Sequence, residues 1–249
     1  MKKTKIYLMA LVSLMITSFG AKAQGGLTPL VGSTHTYTVT ATGTKAWTVS
    51  PGSGYTINSG AATSSVNITW TATGTYTLTF TETNASGCST VKTTSIVVGL
   101  NTFDVSTASP TASCNTADGQ ANFSGSTTTT AITYTFNMGT GNPLWSPNWQ
   151  FVFTLTPSSG ATIANVATSA GTLSGSGPYT VTAIPSTSGA KTMTITMDVT
   201  GNIYTLNTVD LAITSAKELT YNTPDKDNDD WTATKTINPV PNTSSISTD

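Results

Sequence analysis

The chain is predicted to be all-β, with two tandem antiparallel β-sandwich domains behind a cleaved export signal. From Gln24 onward, apolar and small polar residues alternate with period two, the signature of strands with one face buried and one wet. Clusters of Gly, Pro, Asn and Ser break the alternation at intervals of roughly 8 to 12 residues, the spacing of short sandwich strands. No stretch carries a helical period of useful length, which argues against a parallel α/β sheet with its crossover helices.

Residues 1–23 fall into three zones: Lys2, Lys3 and Lys5, an apolar stretch over 6–19, and Ala21-Lys22-Ala23 before Gln24. A basic start, a short apolar segment and an A-x-A site describe a secretory signal peptide. The stretch is shorter than the roughly 20 apolar residues of a membrane anchor. No Cys follows the cleavage site to carry a lipid. Its removal leaves six lysines against eleven acids, a mildly acidic exported chain.

Residues 24–99 form the first predicted domain. Tyr37/Val39, Val66/Ile68/Trp70, Tyr76/Leu78/Phe80 and Ile96/Val98 each put large residues on one face, mostly with Thr on the other. Threonine suits the outward position because its branched Cβ fits a pleated surface while its hydroxyl stays wet. Turns are marked by Pro51-Gly52-Ser53-Gly54, Ser59-Gly60, Thr73-Gly74 and Ser86-Gly87. Gly32-Ser33-Thr34 leads into Tyr37-Thr38-Val39, followed by Trp47-Thr48-Val49-Ser50, Val66-Asn67-Ile68-Thr69-Trp70, Gly74-Thr75-Tyr76 and Gly87-Cys88. This order of Trp, turn, Trp, Gly-Thr-Tyr and Gly-Cys resembles the PKD-like domain of large secreted surface proteins of diderm bacteria. That resemblance, covering roughly a third of the chain, implies a small immunoglobulin-like sandwich and an extracellular setting, not a reaction. The Asp-bearing turn of the better-known PKD repeat is replaced by residues 50–54, so that turn's contacts are not carried over.

Residues 100–237 form a second, larger sandwich of eight or nine strands, also expected to be immunoglobulin-like, with no family recognised. Its candidate strands are 103–105, 121–123, 132–136, 149–155, 179–183, 191–199, 203–206, 209–213 and 231–237. Residues 238–249, with Pro239, Pro241 and a Ser/Thr run, read as a polar C-terminal tail.

Composition removes several function classes. Only 8% of residues are charged, against roughly 25% in ordinary globular chains, and all ten basic residues are lysine. That excludes a nucleic-acid binder, which needs a basic face, and a charged coiled coil. It also leaves little for acid–base chemistry. Threonine makes up roughly a fifth of the chain, while 37% hydrophobic and 8% aromatic residues mark it as folded.

Few residues can carry chemistry. Cys88 and Cys114 are the only cysteines, and export favours a disulfide between them over two buried or free thiols. His35, the single histidine, reads as a solvent-facing strand residue; alone it supports neither a zinc site nor a Cys-His pair. Gly175-Ser176-Gly177 is a turn, not a nucleophile elbow. The two glutamates, Glu82 and Glu218, fall in different predicted domains, whereas glycoside hydrolysis needs two carboxylates across one cleft. Asp225, Asp227 and Asp229 have the opening spacing of a calcium loop. The expected Gly and Glu are missing and Lys226 opposes a cation, so a solvated turn is the favoured reading and Ca²⁺ the alternative. Trp145, Trp149 and Gln150 suit a sugar platform, with rings stacking and amides bonding hydroxyls. The competing reading sends Trp149 into the core with Phe151 and Phe153 and uses Trp145 to cover an edge. Thr-x-Thr repeats at Thr36, Thr77 and Thr192 raise a water-ordering array, which needs strands in register at a fixed repeat. Unequal strand lengths favour ordinary outward threonines.

The sequence thus points to a secreted, non-catalytic structural or adhesion protein of a bacterial surface, filament or matrix. It would act through contacts with other surface proteins, with self-association through edge strands as one route. A carbohydrate-binding module, or an accessory subunit of an exported enzyme or secretion machine, are the alternatives. No nucleic acid, membrane span or cofactor is expected, Ca²⁺ apart.

Overall fold

A computed structural model of the chain describes residues 26–115, 126–141, 145–185 and 191–241. The predicted signal segment, the candidate strand at 121–123 and most of the predicted tail lie outside them. The described residues are all-β, without a helix, so none contains a helix long and apolar enough to cross a membrane. The chain divides into two compact units, Met1–Leu100 and Asn101–Asp249.

The first unit holds β1 (Thr34–Thr38), β2 (Thr44–Ser50), β3 (Tyr55–Ser59), β4 (Ser65–Trp70), β5 (Gly74–Thr83) and β6 (Ser89–Val98). They form two antiparallel three-stranded sheets, ordered β1-β4-β3 and β2-β5-β6. Residues 27–30 run along the end of β6, where Leu30 bridges Gly99 in parallel. With that segment taken as the first strand, β1 to β6 occupy the second to seventh positions of an immunoglobulin sandwich. The sheet division is the one that fold requires. Two side chains complete it. Trp47, on the third strand, is buried against Phe80, ring centroids 4.8 Å apart. Tyr76, near the start of the sixth, donates its hydroxyl to the Ala72 carbonyl at 3.0 Å, the tyrosine corner of such folds. The inward residues of each strand, among them Val66, Ile68, Trp70, Leu78 and Ile96, form one core.

His35 departs from expectation. It is 3% exposed, lies opposite Ile68 and has Nε2 3.0 Å from Ser33 Oγ. Strand parity is the reason: His35 shares a face with Tyr37, while Thr34 and Thr36 take the other. Burial pulls its pKa from 6.5 down to about 4. The unfolded chain therefore takes up a proton as pH falls below 6.5 and the folded chain does not. Stability of the first unit is expected to be lost between pH 6.5 and 4, by up to about 3 kcal/mol. Denaturant unfolding across that range in the native chain and in His35→Gln checks this, since the variant should be flat from pH 6.5 to about 5, where only His35 titrates.

The second unit holds β7 (Asp104–Thr107), β8 (Ser113–Cys114), β9 (Thr127–Gly139), β10 (Trp149–Pro157), β11 (Thr162–Thr168), β12 (Thr172–Ser174), β13 (Tyr179–Ile184), β14 (Thr192–Asn202), β15 (Asn207–Glu218) and β16 (Thr232–Asn238). One sheet is ordered β12-β13-β10-β15-β16-β8 and the other β11-β14-β9-β7. Pairing is antiparallel except between β16 and β8. Tyr134 on β9 pins the two sheets together by donating to the Val209 carbonyl on β15 at 2.5 Å, and burial raises the phenol above its ordinary pKa. The candidate strand at 203–206 is instead the turn between β14 and β15. Asn207 donates there to the carbonyls of Asn202 and Thr205, while Ile203 still points into the core. Residues 55–59, 113–114, 162–168 and 172–174 are strands that sequence reading missed.

Candidate functional site

The sugar platform does not form. Trp149 opens β10 fully buried, its ring stacked on Phe151 at 5.6 Å, and Phe151 in turn meets Phe136 at 4.5 Å. Trp145 is 8% exposed against Phe103. Its carbonyl accepts from Lys191 Nζ and from the Thr140 hydroxyl, which ties the segment down. Gln150 lies on the opposite side of β10 by alternation and accepts from Thr182 Oγ1 at 3.3 Å. A sugar ring needs an exposed aromatic face, and neither indole offers one.

The Asp-rich loop is rearranged relative to expectation. Asp225 is 7% exposed and turned inward. Its Oδ2 accepts the Val105 N–H at 2.5 Å and its Oδ1 accepts those of Asn228 and Asp227. Burial raises its pKa, and these three N–H groups oppose the rise. Asp225 therefore organises the loop and leaves the acidic group to Asp104, Asp227 and Asp229, whose oxygens gather within 4.8 Å. Lys226 already fills that group, its Nζ 3.2 Å from Asp104 and 2.8 Å from Asp227. The two carboxylates hold its ammonium charged. The three residues weighed as the calcium alternative, Asp225, Asp227 and Asp229, are thus split, with Asp225 turned inward and Asp227 and Asp229 beside Asp104.

Both glutamates are engaged by backbone N–H groups. Glu82 accepts the backbone N–H groups of Thr42 and Gly43 at 2.7 Å each, which lowers its pKa. Glu218, fully buried at the end of β15, accepts from the N–H groups of Thr220, Tyr221 and Thr223 and from the Thr223 hydroxyl, at 2.6 to 2.8 Å. Sequence reading missed this role. Its signal was an isolated acid closing an alternating run just before the turn at 219–224.

Cys88, in the first unit, and Cys114, in the second, are both exposed and unbridged. Cys88 closes the β5–β6 turn, where its N–H donates to Asn84 Oδ1; Cys114 ends the two-residue strand β8. A thiol reagent added to the native chain is expected to titrate two groups. A count that reaches two only after reduction would contradict it.

A cavity of about 260 Å³ lies beside β16 where β8 does not cover it, lined by Thr107, Ser109, Pro110, Asp230, Thr232 and Thr234. Lys235, on the same strand, donates to the Thr111 carbonyl. The lining is hydroxylic, with one carboxylate and no partner base.

Two sheet faces carry rows of hydroxyl side chains. In the first unit Thr48, Thr79 and Thr93 stand in one cross-strand row. Ser50, Thr77 and Ser95 form the next, Ala46, Thr81 and Val91 a third, and Thr44, Thr83 and Ser89 a fourth. All twelve are exposed or half-buried, and none is charged. In the second unit Thr162, Thr200 and Thr129 share a row, as do Ala167, Thr196 and Thr133, with Asp198 between Ala164 and Ala131. The rows of the first unit are in unbroken register, whereas those of the second are interrupted by a shift in β11 between Ala164 and Ala167. Each face is three strands wide, with aliphatic residues in some of its rows.

No protein-family model matches the chain, and no curated protein matches it. Among solved structures it is similar to the D00-D0 domain of intimin, at 15% identity over 88% of this chain and 97% of that one, with a TM-score of 0.25. It is similar too to the fibronectin(III)-like modules of Clostridium thermocellum CbhA, at 11% over 88% and 93%, TM-score 0.28. The collagen binding domain of Erysipelothrix rhusiopathiae surface protein RspB is a third, at 10% over 87% and 85%, TM-score 0.26.

Proposed function

We propose that this chain is an exported, non-catalytic structural or adhesion protein of a bacterial surface, its first unit a PKD-like module, and that it acts through contacts with other surface proteins. The supporting observation is the set of hydroxyl rows on the β2-β5-β6 and β11-β14-β9 faces, the first uncharged and the second carrying Asp198 between its rows. Such faces offer hydroxyls and methyls over a broad area without an electrostatic barrier, which suits close packing of neutral surfaces rather than capture of a charged ligand. The chemistry-bearing side chains point the same way. Glu218, Asp225 and Lys226 are engaged in holding loops, and Trp145 and Trp149 in filling the core.

Antibody labelling of intact cells, together with attachment of a strain lacking the gene, tests the reading. Surface label and reduced attachment are expected. Label confined to the cell interior, or hydrolysis of a polysaccharide panel by the purified chain, would overturn it.

A further inference from the structure

We infer that the open edge of β6 is a homotypic contact: two copies of this chain pair their β6 strands antiparallel about a two-fold axis at Val91. The pairing joins two three-stranded sheets into one of six strands.

Edges of sheets are ordinarily kept from pairing by shortness, by charged side chains or proline, by bulges or by cover. Edge strands β8, β12, β7 and β1 have two, three, four and five residues. Strands β3 and β11 carry breaks in register. The edge of β2 is held at Trp47, whose N–H donates to Ala61 and whose indole donates to Thr63. Only β6 among the described edge strands is long, at ten residues, in unbroken register with β5 and free of proline.

Hydrogen-bond parity shows what this edge offers. The turn closes with the Asn84 N–H on the Cys88 carbonyl, so Thr90, Lys92, Thr94 and Ile96 bond to β5 and the odd-numbered residues turn outward. The N–H groups of Val97 and Gly99 confirm it, donating to Leu27 and Pro29 on the outer side. Ser89, Val91, Thr93 and Ser95 therefore direct their backbone groups to a side where no described strand pairs. That run is about 20 Å of unpaired ladder.

The occupant follows from charge and register. Lys92, opposite Phe80, is the only charged residue of β6, and the residues whose backbone groups face outward, Ser89, Val91, Thr93 and Ser95, are uncharged. The edge matches itself in one register. An axis between Val91 and Thr93 would set Lys92 against its own copy, and an axis at Thr93 would drive the second strand into the Leu27 segment. With the axis at Val91, Ser89 faces Thr93 of the second copy and Lys92 stands beside its Thr90. Val91, 56% exposed in the single chain, is then covered by its own equivalent. An isologous two-fold contact of this kind closes on itself, and it holds whether or not the chain serves in adhesion.

Sedimentation equilibrium of the purified chain from Gln24 onward, with reductant present, tests it. Proline at Thr93 removes an outward donor and leaves the β5–β6 ladder whole, while Val91→Asp places like charges at the axis. The native chain is expected to reach twice its mass reversibly with concentration. Thr93→Pro and Val91→Asp are expected to stay at the single mass while keeping the native melting profile. A native chain that remains monomeric throughout, or a dimer that persists in either folded variant, would overturn the inference.

Discussion

Replacing Trp149 by alanine is expected to cost the second unit about 3 to 5 kcal/mol, the range for deleting a large buried aromatic and leaving a partly collapsed cavity. The side chain is fully buried at the head of β10, and its ring is one layer of the Trp149, Phe151, Phe136 stack. The substitution separates two roles that a tryptophan beside a glutamine can have. A sugar platform would lose ligand and keep its fold. A core residue loses the fold. Urea unfolding followed through the second unit's transition measures the loss, and a variant as stable as the native chain would return Trp149 to the surface.

Glu218→Ala is expected to be comparably damaging, about 3 to 5 kcal/mol. It leaves three backbone N–H groups and a hydroxyl without their acceptor at a site closed to solvent, and each orphaned buried donor costs on the order of 1–3 kcal/mol before relaxation. The loop at 219–224 then loses its frame. Its next neighbours are the Asn101 side chain on the Pro224 carbonyl and Asp225 on Val105, so the disturbance should reach the start of β7. Glu218→Gln, which keeps one acceptor oxygen, is expected to lose less. Amide hydrogen exchange at Thr220, Tyr221 and Thr223 reads the local part directly. Unchanged protection in the alanine variant would contradict the assigned role.

How far these roles could be read in advance depended on whether they follow from neighbours in the chain. Strand parity is local, so the inward aromatic and outward threonine positions of β4, β5 and β9 were legible, and the competing core reading of Trp149 with them. His35 was legible in principle by the same parity, since Tyr37 two residues on faces inward; its polarity alone suggested the surface. Asp225 was not. Its place is decided by the Val105 N–H, 120 positions earlier in the chain, and no spacing within the loop encodes that. The gathering of Asp104 with Asp227 and Asp229 is hidden for the same reason. The turn at 203–206 misled because Ile203 and Leu206 carry apolar side chains in a connection fixed by Asn202 and Asn207. The open edge of β6 needed the sheet order, which alternation alone does not supply.

The central claim is that function resides in the hydroxyl rows of the two outer sheet faces and not in a pocket or charged loop. Complementing a deletion strain with Thr79→Lys and Thr133→Lys together tests it most directly. Both positions are exposed or half-buried on strand faces, where substitutions ordinarily move stability by no more than about 0.5 kcal/mol. The account expects this variant to be exported and folded as the native chain is, yet to leave attachment at the level of the deletion. Full restoration of attachment by the charged variant, with surface amounts equal to native, would contradict it.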